Sequence, residues 1–570
     1  VQEMALRPSR AVPRTLAEVA DRAGARLRAR AGQTEPAEGD HPETVLVTGA
    51  TVDSHAVAAG DLFGAFPGLK VHGARFAADA VAAGAVAVLT DAEGESLLAE
   101  SGVDVPVLLV EDARVAMGEA AALVYGDPSR ELVFVGITGT NGKTTTAYFV
   151  DNALAQVHER RGIMGTVELR ILDETIESPR TTVESPVLHG LLARMREQGV
   201  TAAVTEVSSH AAALERISGV EFSVTVFTNL QWDHLDFHGT MEEYLDAKAK
   251  LFAPGRAARG VINVDDEWGR RLAARVEIPA ETVSTHVDDP QDADWTVTWA
   301  DVGLDGVGSR FTFTDPRGAE HTAEAPLPGL VNVSNAMVAI ATAHAAGVPL
   351  PQAIAGVATA HAVPGRMERV VERSEVDPLA IVDYAHTPDA LTLALQGVRP
   401  ITPGRLILIF GSDGDRDQGK RPVMGGIAAD LADVIVLTDE NPRSEEPAAI
   451  RAAIRDGIQQ ARPDLHDVHE VEPRVAAVEY ALRLGRPGDT VIVTGKGHEP
   501  TQEIAGVFHR YNDRDAYLAA QARIVAEREG TTPDAGPIPH VTIHGPVTSP
   551  PPGSSAQPGT SAQAGAGEKA

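Results

Sequence analysis

The sequence predicts a multidomain α/β protein with a disordered C-terminal tail, and three observations carry that expectation. Short continuous apolar runs recur at Leu132–Ile137, Val224–Phe227, Leu406–Phe410, Val434–Leu437 and Val491–Val493, as strands buried on both faces require. Between them lie longer Ala-rich segments with helical spacing, the alternation of parallel strands and crossover helices. The chain has 570 residues, which at roughly 150 residues per domain allows three to four domains. Gly126-Asp127-Pro128-Ser129 and Ala362-Val363-Pro364-Gly365 read as junctions. They divide the chain into residues 1–130, 131–361 and 362–530. The remainder, 531–570, contains 8 Pro and 6 Gly with almost nothing apolar, a composition that cannot form a core.

Composition excludes several function classes. Lys plus Arg is 49 and Asp plus Glu is 80, a net charge of −31. Such a field repels a phosphate backbone, so no nucleic acid partner is expected. No apolar run approaches the roughly 20 residues that cross a bilayer, and the N-terminal Arg7, Arg10, Arg14 and Glu18 leave no apolar core for a secretion signal. Cys is absent, which excludes disulfides and thiolate metal sites. An acidic protein must bind anions with local devices such as Gly-rich loops, helix N-termini, Arg forks or divalent metals.

One such device follows the first strand. Leu132–Ile137 leads into Thr138-Gly139-Thr140-Asn141-Gly142-Lys143-Thr144-Thr145, and Ala147, Val150, Leu154 and Val157 then recur at helical spacing. Strand, Gly-rich loop and helix in that order predict a phosphate loop. Backbone N–H groups would close on phosphate oxygens, Lys143 would bridge the β- and γ-phosphates, and the Thr144 hydroxyl would ligate Mg²⁺. Ile137 occupies the position of the first Gly of the standard pattern, so the loop is a variant.

Further segments resemble the Mur ligases, the ATP-dependent amide-forming enzymes of peptidoglycan precursor synthesis. They are Gly139–Thr145, Glu206-Val207-Ser208-Ser209-His210, Thr228-Asn229-Leu230 with Asp233-His234-Leu235-Asp236, Val363–Glu368, and Val382-Asp383-Tyr384-Ala385-His386-Thr387-Pro388-Asp389. Gly414-Asp415-Arg416-Asp417 with Lys420-Arg421-Pro422, Glu440-Asn441-Pro442-Arg443 and Gly495-Lys496-Gly497-His498-Glu499 resemble the members that add the third amino acid. In the N-terminal region, Asp53-Ser54, Gly60-Asp61-Leu62-Phe63, Pro67-Gly68 and His72-Gly73 are similar to the family's UDP-binding domain. His55 stands where the family usually has Arg, Val183 where Pro is frequent, and Trp232 where Arg is frequent.

The resemblance implies an N-terminal UDP-binding α/β domain, a central P-loop ATPase-like parallel-sheet domain and a C-terminal Rossmann-like domain. It implies a ligase that adds diaminopimelate to UDP-N-acetylmuramoyl-L-Ala-D-Glu through an acyl phosphate, with ATP as co-substrate and Mg²⁺. That places the chain in the cytoplasm, in cell-wall biogenesis and hence cell shape and division, as a monomer without a membrane partner. By the same resemblance the catalytic set is Lys143, Glu206, His234 and Lys248, with Thr144, Glu206, His234 and Lys248 holding metal. Tyr244, Lys248 and Phe252 share one helical face, whereas Lys250 is about 200° round at about 100° per residue; Lys248 would carry a CO₂-derived carbamate. ATP-binding residues would be Gly139, Thr140, Asn141, Gly142, Lys143, Thr144, Thr145, Asn332 and Asn335, with Arg366 and Asp383 from the C-terminal domain. ATP would then lie between domains that close on substrate. Ser54, Thr181, Thr182, Ser208 and Arg216 would contact the UDP-muramoyl-dipeptide. Arg416, Glu440, Asn441, Pro442, Arg443, Gly495 and Glu499 would hold diaminopimelate. Arg443 would fork onto the distal carboxylate that lysine lacks, and a buried guanidinium left unpaired would reject lysine by roughly 10⁴–10⁵-fold. The alternatives are the same ligase adding L-lysine, a folylpolyglutamate synthetase-like ligase, and a nucleotide-binding regulatory module. The second gives no role to residues 45–125 or to Asn441-Pro442-Arg443, and retention of Lys143, Glu206, His234 and Lys248 argues against the third.

Overall fold

Continuous apolar runs need two covered faces, and the chain provides them with three sheets flanked by helices. The computed structural model describes residues 6–33, 40–68, 71–178, 180–302, 308–360 and 363–531. Ala362 of the second expected junction and all of the expected tail except Thr531 lie outside the described residues. The chain divides into two compact units, Val1–Pro364 with Gln396–Ile401, and Gly365–Leu395 with Thr402–Ala570. No helix among the described residues is long and apolar enough to cross a membrane.

The first unit contains two larger sheets. Its N-terminal part is a five-stranded sheet in which Gly49–Thr51, Asp61–Ala65, Ala87–Thr90 and Val107–Leu109 run parallel, with Arg26–Arg28 antiparallel at the edge. The central part is eleven-stranded. Its parallel middle places Val133–Thr138 between Ala202–Glu206 and Val224–Phe227. Every residue of those two flanking strands is buried. Register then decides what meets the loop: Glu206 pairs with Ile137 and Phe227 with Thr138, so both neighbours end where the loop begins. Open parallel sheets bind ligands beyond the carboxyl ends of their strands.

The expected strands Val224–Phe227, Leu406–Phe410 and Val434–Leu437 have those bounds, and the first begins one residue later, at Val133. The helix after the loop is Lys143–Leu154. Val157 lies beyond it and is 45% exposed, a correction to the longer helical pattern. Past Leu154 the chain tightens into turns, with Gln156 and Val157 donating to the carbonyls of Ala153 and Leu154 three residues back, so the apolar periodicity outlasts the helix.

The second unit is a six-stranded sheet. Leu379–Val382, Thr490–Val493, Leu406–Phe410, Val434–Leu437 and Val468–Glu470 run parallel in that spatial order, with Glu368–Val371 antiparallel at the edge. The three middle strands lead into 411–417, 440–443 and 495–499, which places every diaminopimelate-binding candidate at one end of the sheet.

Candidate active site

The phosphate loop depends on two glycines. Gly139 has φ +149° and Gly142 φ +84°. A Cβ at Gly139 would overlap the Thr228 hydroxyl, and one at Gly142 would meet Asn335 Oδ1 at 2.4 Å. The segment after Val224–Phe227 braces the loop from outside. Thr228 Oγ1 donates to the Asn141 carbonyl (2.7 Å), the Asn141 N–H donates to Asn229 Oδ1 (3.0 Å), and Asn141 Nδ2 donates to Gln231 Oε1 (2.6 Å). Lys143 begins the helix and folds its ammonium onto the Gly139 (3.0 Å) and Thr140 (2.8 Å) carbonyls.

Glu206 closes the far side of the loop. Thr144 Oγ1 donates to its Oε2 at 2.9 Å, while Thr166 donates its N–H to Oε1 (2.8 Å) and its hydroxyl to Oε2 (3.0 Å). The carboxylate is 1% exposed and aligned by hydroxyls and a backbone N–H. Among the described residues no group of three or more His, Asp or Glu could hold a metal alone. A hydroxyl and a carboxylate beside a phosphate loop fit Mg²⁺ nonetheless, because that ion usually takes one or two carboxylates and completes its shell with phosphate and water.

Lys248 lies on the helix Met241–Ala249, started by a capping box between Thr240 and Glu243. Tyr244 and Lys248 share its buried face as expected, each 1% exposed, whereas Phe252, also buried, lies past the helix in the 3-10 turn Lys250–Phe252, and Lys250 pairs with Glu215 outside. Lys248 Nζ donates to the Gly139 carbonyl at 2.8 Å and sits 4.6 Å from the centre of the Tyr244 ring. Burial and then the nearby Lys143 ammonium hold its pKa well below the usual lysine range, against the pull of Asp233. The side-chain nitrogens of Lys143 and Lys248 thus share one carbonyl. His234, with left-handed backbone (φ 54°), contacts Asp233 Oδ2 at 3.3 Å. It packs edge-on to His210 with ring centres 4.8 Å apart and to Tyr244 at 6.2 Å.

Peptide-side candidates join this network through one hydroxyl. Thr182 Oγ1 donates to the Glu206 carbonyl (2.9 Å) and accepts from the Ser208 N–H (3.0 Å), and the Thr166 and Thr181 hydroxyls are hydrogen-bonded to each other (3.1 Å). Arg216 donates to the Thr182 carbonyl at 3.3 Å and pairs with Glu184, which also takes Arg180. Burial, with Arg180 and Arg114 adding repulsion, lowers the Arg216 pKa. Ser54 lies in the short turn Ser54–Ala56, capped by Asp53, beside an exposed His55. Asn332 and Asn335 occupy the first turns of Leu330–Ala345. Asn335 donates to Asn332 Oδ1 at 3.1 Å and accepts from Thr146 at 3.4 Å.

In the second unit, Asp383 directly follows Leu379–Val382 and accepts from the Met367 and Ala385 N–H groups, while Arg366 lies 4.1 Å over the Tyr384 ring. The amino-acid candidates form a charged cluster. Lys496 donates to Asn441 Oδ1 (2.8 Å), Glu499 Oε2 (2.7 Å) and the Thr501 carbonyl (2.7 Å), and Asn441 Nδ2 donates to Glu499 Oε2 (3.1 Å). Glu440 is 3% exposed, its Oε2 has no hydrogen-bond partner, and a Cβ on Gly495 would sit 2.5 Å from that oxygen. Burial, and next the Asp413 carboxylate, push its pKa up to about 8. Arg443 reaches Asp413 at 3.5 Å and Glu503 at 3.4 Å. Pro442 is buried, and Arg416 is exposed in the loop after Phe410.

Several residues of these clusters carry no signal in the sequence. Thr166 lies in a connection without a motif, and Asp413 and Glu503 resemble ordinary surface charges. Tyr244 and Lys496 were within reach, one from its shared face with Lys248 and the other from its place in Gly495–Glu499.

Residues 46–125 match the Mur ligase family catalytic domain, 137–343 the Mur ligase middle domain, and 365–497 the Mur ligase glutamate ligase domain. The UDP-N-acetylmuramoyl-L-alanyl-D-glutamate--2,6-diaminopimelate ligase of Streptomyces coelicolor is 46% identical over 517 residues, 90% of this chain and 97% of that one. Its Streptomyces avermitilis counterpart is 47% identical over 469 residues, 82% of this chain and 91% of that one. A solved structure of a protein with the same name superposes with a TM-score of 0.63 at 31% identity, covering 91% of this chain and 100% of the other.

Proposed function

The chain belongs to the Mur ligase family, and from that membership we infer the reaction it carries out. It is an ATP-dependent, ADP-forming ligase that adds 2,6-diaminopimelate to UDP-N-acetylmuramoyl-L-alanyl-D-glutamate in peptidoglycan precursor synthesis. A carboxylate is a poor electrophile at neutral pH. Its γ-carboxylate oxygen therefore attacks the γ-phosphorus of ATP, ADP leaves, and the amine displaces phosphate from the acyl phosphate through a tetrahedral intermediate. Negative charge crowds together in the first step, so catalysis consists of positioning and neutralisation.

We assign Gly139–Thr145, Asn332, Asn335, Arg366 and Asp383 to ATP, and Lys143 to the transferred phosphoryl group. Ser54, Thr181, Thr182, Ser208 and Arg216 take the nucleotide-peptide. Arg416, Glu440, Asn441, Pro442, Arg443, Gly495 and Glu499 take the amino acid. Mg²⁺, which would offset charge between carboxylate and phosphate, is assigned to Thr144, Glu206, His234 and a carbamylated Lys248. Burial and the nearby Lys143 ammonium, only partly offset by Asp233, favour the neutral Lys248 amine, the form that bonds CO₂ and sheds a proton to become anionic. We place the reaction in the cytoplasm, carried out by a monomer.

One observation supports the reading most: the Thr182 hydroxyl bonds the Glu206 carbonyl while the Glu206 carboxylate bonds Thr144. Peptide-side and phosphate-side residues are therefore one hydrogen-bonded unit, as a reaction between a peptide carboxylate and a phosphate demands. Nucleotide-peptide labelled with ¹⁸O in the γ-carboxylate tests it. One labelled oxygen should appear in the phosphate released with diaminopimelate. Unlabelled phosphate would overturn the acyl-phosphate route.

A further inference from the structure

The recognition arginine of the amino-acid cluster already has partners within its own chain. Arg443 has left-handed backbone (φ 55°) and is tied to the hairpin formed by Thr501–Ile504 and Val507–Arg510. Its N–H donates to the Glu503 carbonyl (3.0 Å) and its carbonyl accepts from the Ala505 N–H (2.6 Å). The same hairpin brings the Glu503 carboxylate to Nη1 at 3.4 Å, and Asp413, three residues past Phe410, meets Nη2 at 3.5 Å. Both contacts are long. Arg421, close by, grips Glu445 with two bonds of 2.8 and 2.9 Å, and Arg474 grips Asp513 with two of 2.8 Å. Arg443 Nε and Asp413 Oδ1 are meanwhile buried without hydrogen-bond partners. The guanidinium is oriented and partly neutralised, but it is not locked into a fork.

We propose that Asp413 and Glu503 are specificity-determining residues that stand in for the distal carboxylate of the incoming diamino acid. A substrate carboxylate gains by exchanging two long contacts for a bidentate pair. A diamino acid without that carboxylate, such as L-lysine, leaves Arg443 paired rather than stranded, so the penalty that would reject it is reduced. Discrimination therefore falls well below the 10⁴–10⁵-fold typical of a site whose buried polar group loses its only partner. This inference rests on the diaminopimelate-adding reading, and it makes the two carboxylates the elements that set how strictly that amino acid is required.

Phosphate release with ATP and the UDP-muramoyl-dipeptide tests it, using diaminopimelate and L-lysine in turn. Asp413→Asn with Glu503→Gln should raise the kcat/KM ratio of diaminopimelate to lysine at least tenfold, mainly through a lower KM for diaminopimelate and a loss with lysine. KM for ATP should not change. Each isosteric single variant should move the ratio the same way by a smaller factor, so either suffices if the pair folds poorly. In an Arg443→Ala background the same changes should leave the ratio flat, because the carboxylates act through that guanidinium. An unchanged or lower ratio in folded variants, or an equal shift without Arg443, would overturn the proposal. A wild type that releases no phosphate with diaminopimelate would instead overturn the reading beneath it.

Discussion

Gly139→Ala is the sharpest test of how the phosphate loop is built. The new methyl would overlap the Thr228 hydroxyl and lie 3.1 Å from Thr228 Cβ and 3.2 Å from the Asn229 nitrogen, on backbone with φ +149°. Thr228 is 4% exposed and holds the Asn141 carbonyl at 2.7 Å, so it cannot rotate away freely. Overpacking of this kind costs about 1–3 kcal/mol, and the unfavourable φ adds about 1–3 kcal/mol. If Thr228 turns aside, its bond to Asn141 is lost as well, about 1 kcal/mol. The loop would relieve this by moving, and nucleotide binding would have to restore it. We expect affinity for a non-hydrolysable ATP analogue, measured by titration calorimetry, to fall by about 10²-fold or more, since each 1.4 kcal/mol is about tenfold. Thr228→Ala alone removes only the hydrogen bond and should cost about tenfold or less. The double variant should then bind better than Gly139→Ala, with a coupling energy of about 1–3 kcal/mol. Affinity within twofold of wild type for Gly139→Ala, or no recovery in the double variant, would refute the steric account.

Lys248→Ala should remove most turnover while leaving affinity for the ATP analogue within a few-fold; a fully active variant would remove Lys248 from the metal assignment. Thr182→Val should lower the melting temperature and raise KM for the nucleotide-peptide, because it strips both the Glu206 carbonyl and the Ser208 N–H of a buried partner, at about 1–3 kcal/mol for each group left unsatisfied. Thr182→Ser keeps the hydroxyl and should recover most of both effects. Glu440 is held up to about 8 by burial, above its unfolded value near 4.5, so the folded state binds the extra proton and stability falls as pH rises from about 4.5 to about 8. Glu440→Gln should therefore raise the melting temperature more at pH 8.5 than at pH 5.5, and an equal gain at both would contradict the burial argument.

Much of the scaffold could be read from the chain because it rests on local patterns. Val224–Phe227, Leu406–Phe410 and Val434–Leu437 are apolar throughout, as strands covered on both faces must be. The phosphate loop shows itself through its flanking strand and helix. The outer strands of the central sheet were harder to see. Ser309–Thr314 and Glu320–Ala325 are partly polar and pair antiparallel at an edge, so no continuous run marks them. Sites were legible where residues cluster in sequence and opaque where the partner comes from elsewhere. Thr166 meets Glu206 only because adjacent strands bring a turn beside it, and Asp413 meets Arg443 only because their strands are neighbours.

The pairing of Glu206 with Ile137 constrains how this protein can change. Side chains on a strand alternate between faces, so one residue inserted anywhere in Ala202–Val204 would turn Glu206 to the opposite side of the sheet and carry Thr182 and Thr144 out of its reach together. Length variation can therefore accumulate only where no ladder is shifted, as at Leu172-Asp173 between the antiparallel strands Glu168–Ile171 and Glu174–Glu177. A library of single-residue insertions should show the contrast directly, with a sharply intolerant block at 202–206 and a permissive one two strands away.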